Sequence, residues 1–354
     1  MSPVDVYSLW LAATRVSAQA GTTTHVFDVA GITIRARLHH ESLVLPFLSA
    51  ISHLSVSLAD AGLDDGYVID IWDSFHSGVQ FPRFHHEIDD VMPRGEVPAY
   101  SGDGISFAYF AHARMVQILN QSKKHGIVAL INAKALPAFE LACPLRGILS
   151  WVLRHNGMAM IHSAALADED GNAHLIIGNS GAGKSTTAIS CLLAGMRYIG
   201  DDLCALGQGA DGLIYVHSLY SSGKTYRSEW KYLPPLKKLT LPPGLRIDEF
   251  HKEIYFFSHD EQLKTQLCRS GQLQTIFVPC KDGSVKAPFP TVASLISLTM
   301  GSTRELLPDA GFEGLTILSK AFRQAQVMPL PLSDDRQCPV PRALATRQLQ
   351  QRSG

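Results

Sequence analysis

The chain has 354 residues, 46% of them apolar and 18% charged, which is enough to fill one large or two ordinary hydrophobic cores and excludes a disordered chain. Its 31 Lys and Arg against 32 Asp and Glu give a formal net charge of −1, so nothing favours a nucleic-acid or anionic-membrane partner. Asp5 stands where an export signal needs positive charge, and the nearest approach to a membrane-length apolar run, Ile127 to Leu145, contains Lys134, Pro137 and Glu140. A soluble, cytoplasmic protein is therefore expected.

Val26 to Leu38 alternates apolar and polar residues around Ala30-Gly31, which predicts two half-buried strands joined by a tight turn. Leu43 to Ala61 has helical spacing, with apolar residues at 44, 45, 47, 48, 51 and 54. Strands are expected at Tyr67 to Trp72, Ser106 to Phe110, Met115 to Asn120 and Ile127 to Ile131. The segment 73–104, rich in Pro, Gly, Ser and Asp, reads as a long loop or insertion. His39-His40-Glu41 and Phe84-His85-His86-Glu87 invite a metal reading. Neighbours on an extended chain point to opposite faces, so these are read as surface and turn residues. Residues 1–146 are expected to form a smaller α+β domain without chemistry of its own, whose strand edges could receive an extended acceptor peptide.

Leu145 to His155 has helical spacing and runs into Asn156-Gly157, a helix stop, and a second domain, 147–354, is expected to begin there. Met158 to Ala167 and Ala173 to Gly178 flank the turn Asp168 to Asn172, a hairpin that leads into the most informative stretch of the chain. Gly178, Asn179, Ser180, Gly181, Ala182, Gly183, Lys184 and Ser185 fit G-x-x-x-x-G-K-[ST] in full, with Thr186 opening a helix-prone run behind them. The glycines let consecutive backbone N–H groups turn inward at a helix N-terminus, where peptide dipoles favour an anion. A polyphosphate fits such a nest. Lys184 would set an ammonium on the β- and γ-phosphates of ATP, and the Ser185 hydroxyl would complete the coordination of Mg²⁺.

After the helix the chain runs from Met196 to Gly200, read as a strand, into Asp201-Asp202, whereas in most P-loop proteins the metal-binding acid lies much farther downstream. Two carboxylates delivered this early could divide two tasks, one accepting a proton from an attacking hydroxyl and the other holding Mg²⁺. The expected division makes Asp201 the base and Asp202 the metal-linked acid. The rival reading of the pair is a solvated acidic turn.

Leu203 to Leu206 and Leu213 to His217 then read as strands. Ser221 to Trp230 is polar and basic, and either Lys224 or Arg227 could neutralise charge on a moving phosphoryl group, or both could be solvated loop residues. Pro234, Pro235, Pro242 and Pro243 bracket a connecting or lid-like segment. Late strands are expected at Ile254 to Phe257 and Gln274 to Pro279, helices at Thr291 to Met300 and Ala310 to Gln326, and a fraying tail from Leu332. The six cysteines are scattered without a C-x-x-C pair, as reduced thiols would be.

The runs IHSAALADEDGNAHLIIGNSGAGKSTTA and YIGDDLCAL together resemble the P-loop kinase core of the HPr kinase/phosphorylase superfamily, related more distantly to phosphoenolpyruvate carboxykinase. SLYSSGKTYRSEWKYLP, KEIYFF and TIFVPCKDG resemble a bacterial subgroup of HPr kinase-like serine kinases, some found beside ribosomal-peptide clusters, including lasso-peptide clusters. The resemblance covers about residues 147 to 334, but the long motif that follows the acidic pair in true HPr kinases is not visible here. It implies an α/β kinase core, ATP and Mg²⁺ as cofactors, and a serine hydroxyl of a peptide or protein as acceptor, with room for phosphorolysis and for a homo-oligomer. On the same ground His162 matches the His that precedes the phosphate loop, and Lys224 matches a lysine of the subgroup. The competing classes are a nucleotide-dependent switch or ATPase module, which has less need of a proton-accepting acid, and a small-molecule kinase, which differs only in its acceptor.

Overall fold

The computed structural model describes residues 22–57, 66–81, 101–226, 252–281, 290–307 and 314–332, with a few isolated positions besides. Two compact units emerge, Met1–Asn156 with Arg304–Ala310, and Gly157–Thr303 with Gly311–Gly354.

In the first unit the alternating run becomes β1 (Thr23–Val29) and β2 (Ile32–Leu38), an antiparallel hairpin. Its turn residues Ala30 and Gly31 have φ of 55° and 82°, the left-handed geometry that joins twisted strands without splaying them. The Asp28 carboxylate accepts from the Gly31 N–H at 2.7 Å and so braces the turn. With β3 (Tyr67–Asp73), β4 (Ile105–Phe110), β5 (Met115–Asn120) and β6 (His125–Leu130) the hairpin builds a six-stranded mixed sheet in the order β1-β2-β3-β6-β5-β4. The helix expected over 43–61 is interrupted. Only α1 (Val44–Leu48) and a short turn over Ser52–Leu54 form, because Ser55 and Val56 pair with the edge of β1, Val56 donating to the Val26 carbonyl at 3.0 Å. Residues 58–61 of that expectation lie outside the described residues.

The histidines of this unit serve the sheet. His39 and His125 both bond the buried Asp70, at 2.9 and 2.7 Å, and Arg37 pairs with it. Burial alone would raise the Asp70 pKa, but these three partners outweigh it and hold the carboxyl well below its ordinary value. His40 stacks on His76, and His76 is fixed by Asp73, the residue that caps α2 (Ser74–Ser77) at the start of the expected long loop. Phe84-His85-His86-Glu87 lies outside the described residues. Behind the sheet come α3 (Ala138–Ala142) and α4 (Arg146–His155), whose Ile148 N–H donates to the buried Gln117 of β5 at 3.0 Å.

The second unit holds β7 (Ala159–His162), β8 (Ala164–Ala167), β9 (Asn172–Ile176), β10 (Arg197–Gly200), β11 (Leu203–Gln208), β12 (Ile214–His217), β15 (Ser270–Lys281) and β16 (Gln326–Leu332) in one sheet. A separate ribbon is formed by β13 (Ser222–Tyr226) and β14 (Lys252–Phe256). The strand expected from Met158 to Ala167 is broken at Ser163. Its first half, β7, pairs with β11, whereas its second half, β8, pairs with β9 and β10. Since β7 continues through Ser163 into β8, the pairings β8-β9-β15-β12-β11-β7 return to the strand they started from, and β10 likewise continues through Asp201-Asp202 into β11. The sheet coils round until its two ends share one bend, with Ser163 on one chain and Asp201-Asp202 on the other. The Ser163 N–H donates to the Asp202 carbonyl at 3.1 Å across it.

One face of this sheet carries α5 (Lys184–Leu193), packed through Ala188, Ile189 and Leu192 onto Leu166, Ile176 and Phe277. The opposite face, with Ile161, Leu175, Leu206 and Ile276, packs against Leu295 of α6 (Val292–Arg304) and Ile317, Leu318 and Phe322 of α7 (Leu315–Gln324). Helices on both faces of a mostly buried sheet make an α/β unit. Of the expected late helix over 310–326, residues 310–313 lie outside the described residues, and α7 runs over Leu315–Gln324 before β16 starts at Gln326. The four prolines at 234, 235, 242 and 243, and most of the tail after Leu332, lie outside the described residues.

Candidate functional site

The glycine-rich stretch lies between β9 and α5. The Ile177 N–H still donates to Phe277 of β15, at 3.0 Å, and the chain then leaves the sheet at Gly178. A tight turn follows in which the Ala182 N–H donates to the Asn179 carbonyl at 3.1 Å. Asn179, Ser180 and Gly181 are exposed, Ala182 and Gly183 are half-buried, and Thr186 is buried in the first helical turn. Gly183 precedes the helix at φ 94°, a conformation in which a side chain is strained, and a Cβ there would stand 2.8 Å from Leu332 of β16. The first N–H groups of α5 have no carbonyl a turn earlier in the helix to bond and carry the positive end of its dipole. Lys184 is buried, and its ammonium donates to the carbonyls of Gly178 and Asn179 at 2.8 and 3.1 Å.

The bend of the coiled sheet places the two acids. Asp201 is 1% exposed, and neither of its carboxylate oxygens accepts a hydrogen bond of good geometry from a described residue. Burial and then the neighbouring Asp202 charge raise its pKa, and the Ser185 hydroxyl that faces it offsets only part of that rise. Asp202 has φ 63°, in the left-handed region that Asp tolerates better than most residues. Its carboxylate is ion-paired with Lys224 of β13. Burial opposes its ionisation, but the Lys224 charge outweighs that cost, helped by His162 and Lys252, and holds the pKa low.

His162 ends β7, opposite Leu203 of β11. Burial first, and the Lys184 charge second, hold its pKa down to about 4, so the ring is neutral near pH 7. Its Nδ1 lies 3.2 Å from the Ser302 carbonyl and its backbone N–H donates to the Thr303 hydroxyl at 2.9 Å. Of the residues expected from the sequence, Lys184, Ser185, Asp201, Asp202, His162 and Lys224 thus share one electrostatic environment at one end of the sheet. Arg227 lies outside the described residues.

Three further participants were not singled out from the sequence, although Lys252 lies in the KEIYFF run. Ser302 and Thr303 are 140 and 141 residues from the histidine they hold. Lys252 lies across the ribbon from Lys224's strand, its ammonium 5.1 Å from the centre of the Tyr226 ring, and it bears on Asp202. Ser185 and the two aspartates form an all-oxygen donor set, the chemistry that suits Mg²⁺, which draws its remaining ligands from phosphate and water. Among the described residues no cluster of three or more His, Cys, Asp or Glu side chains has the arrangement of a protein-only metal site.

No family model matches the sequence, and no curated protein matches it. Among solved structures the chain is similar to that of the Hpr(Ser) kinase/phosphatase from Coxiella burnetii, with 11% identity and a TM-score of 0.32 over 55% of this chain and 92% of that one. A likeness of that size identifies neither a family nor an activity. No helix among the described residues is long and apolar enough to cross a membrane.

Proposed function

We propose that the chain is an ATP-dependent kinase that transfers the γ-phosphoryl group to a hydroxyl, with a serine of a peptide or protein as acceptor. The observation that carries this reading is the buried Asp201 facing the Ser185 hydroxyl, its pKa raised by burial and by the Asp202 charge, beside a glycine-rich loop and helix N-terminus. A solvated acidic turn would have neither the burial nor the raised pKa. A nucleotide switch has no use for a carboxylate poised to take a proton.

In the proposed reaction the loop amides and Lys184 bind the β- and γ-phosphates, and Lys184 gives up its bonds to Gly178 and Asn179 to do so. Ser185 and Asp202 would hold Mg²⁺, which when bound would supply neutralisation of phosphate charge. The acceptor hydroxyl donates to Asp201. Its oxygen forms a bond to the γ-phosphorus as the bond from that phosphorus to the β–γ bridging oxygen breaks, and ADP leaves with the electron pair. The acceptor proton passes to Asp201, whose raised pKa suits a base working near neutrality. Lys224, already paired with Asp202, stabilises charge on the moving phosphoryl group. The first unit presents the acceptor, a role supported by its large sheet and by polar clusters that are spent on holding that sheet together.

The test is transfer of label from γ-labelled ATP with Mg²⁺ onto a set of peptides carrying serine internally or at the C-terminus. Labelled phosphoserine formed by the wild type and lost in Asp201→Asn supports the reading. Hydrolysis of ATP that is indifferent to Asp201→Asn, with no labelled peptide, would overturn it in favour of an ATPase module.

A further inference from the structure

Among the described residues β7 pairs with a strand on one side only, β11, and non-strand groups meet its outward backbone. At His162 those groups come from the last turn of α6. Thr303 Oγ1 accepts from the His162 N–H at 2.9 Å and donates to the Thr299 carbonyl at 2.7 Å, while the Ser302 hydroxyl donates to the same carbonyl at 3.1 Å. Thr299, Ser302 and Thr303 are all buried, so these bonds are made away from competing water. The Ser302 carbonyl, 3.2 Å from His162 Nδ1, can only accept. Nδ1 must therefore carry the proton, and in the neutral ring Nε2 is left with the lone pair.

We infer that Thr303, together with the Ser302 carbonyl, is a positioning residue for His162, fixing one tautomer and one ring position so that Nε2 presents a lone pair among the charges of Lys184, Asp202 and Lys224. The catalytic consequence rests on the proposed phosphoryl transfer, but the tautomer is a property of the resting protein and can be read without turnover. Removing the hydroxyl leaves the His162 N–H without its acceptor and loosens the strand end that carries the ring. A displacement of this kind lowers turnover rather than nucleotide affinity, because the hydrogen bonds of the Thr303 hydroxyl run to His162 and Thr299, not to the phosphate loop.

The experiment uses the full chain labelled with ¹⁵N-histidine, as wild type, Thr303→Val and Thr303→Ser. Two-bond nitrogen–proton spectra read the tautomer, a fluorescent ATP analogue reads affinity, and MgATP hydrolysis, with water as acceptor, reads kcat and KM. The wild type should show His162 with the proton on Nδ1. Thr303→Val should mix the tautomers and lower kcat by about tenfold to a hundredfold, with analogue affinity and KM within about twofold. Thr303→Ser should restore both. In a His162→Ala background, Thr303→Val should cost nothing further. Wild-type His162 protonated on Nε2, or a Thr303→Val protein with unchanged tautomer and kcat, would overturn the inference, as would an equal loss of kcat in the His162→Ala background. Should the wild type not turn over ATP at all, the phosphoryl-transfer reading fails, and the tautomer spectra alone still decide whether Thr303 positions His162.

Discussion

Lys184 and Asp201 are both buried ionisable groups at the glycine-rich loop and the bend beside it. For Lys184→Ala the loss is of a charge-assisted contact to phosphate, worth roughly 1.5–3 kcal/mol, so ATP affinity should fall by about ten- to a hundredfold in a titration with a fluorescent analogue. For Asp201 function and stability pull in opposite directions. Its folded pKa is raised above the unfolded value, so the ionised side chain costs stability near pH 7, and that cost is relieved as pH falls through the folded pKa. Asp201→Asn should therefore raise Tm by about 2–4 °C, the shift expected of ~1 kcal/mol in a domain of this size, while lowering phosphoryl transfer by about 10²–10⁴. A variant that is less stable and fully active would contradict both halves. His162 has the opposite linkage sign. With its folded pKa lowered to about 4, the unfolded chain takes up the proton first. Stability drains away as pH falls from about 6.5 towards 4, by at most about 1.4 kcal/mol per pH unit. Calorimetry on His162→Gln should show a shallower loss over that window.

The bend that links β7 to β8 and β10 to β11 does more for the site than any single element. It lets two strands that are consecutive in sequence serve different neighbours, and it turns the acidic pair inward where the sheet closes on itself. The ribbon β13–β14 supplies the other wall. Gly223 allows it to dock, because a Cβ there would stand 2.7 Å from the Phe257 ring and 3.3 Å from Ile189 of α5. Gly223→Ala should overpack this contact at a cost of about 1–3 kcal/mol and push the neighbouring Lys224 away from Asp202. The expected outcome is a lower Tm together with a larger fall in kcat than Gly207→Ala produces. Gly207 lies on β11, beyond the acidic pair, and the nearest atoms a Cβ there would meet are in the side chains of His217 and Met158, at 3.3 Å.

At the scale of the whole chain there are two compact units, one built on a six-stranded mixed sheet, the other an α/β unit that carries every residue of the candidate site. A ligand that binds only the folded second unit stabilises that unit by mass action, by about 2.7 kcal/mol at a hundredfold excess over Kd. Calorimetry with and without MgATP should accordingly show the ligand raising the transition of the site-bearing unit and leaving a second component in place. Hydrogen exchange would then assign that component to residues 22–156. A uniform rise of one transition would mean that the two units unfold as one.

How much of this was legible beforehand follows from the range of the interactions. The hairpin at Ala30-Gly31, the strands over 67–73, 105–110 and 115–120, the helix ending at Asn156 and the loop before Lys184 are set by periodicity and turn chemistry within a few neighbouring residues, and the sequence alone determined them. The helix over 43–61 was misread because the edge of β1, far away in the chain, competes for the backbone of Ser55 and Val56. The break at Ser163 was invisible for the same reason, since only the closing of the sheet makes one chain serve two partners. Sequence alone also nominated Lys184, Ser185, Asp201 and Asp202, through side-chain chemistry carried in short motifs, whereas His162 and Lys224 were singled out by the family resemblance. Tertiary structure alone decided that Asp201 is buried facing Ser185, that Lys224 pairs with Asp202, and that Ser302 and Thr303 hold His162. Burial and long-range hydrogen bonding depend on which distant segments come to lie together, and no local pattern encodes that.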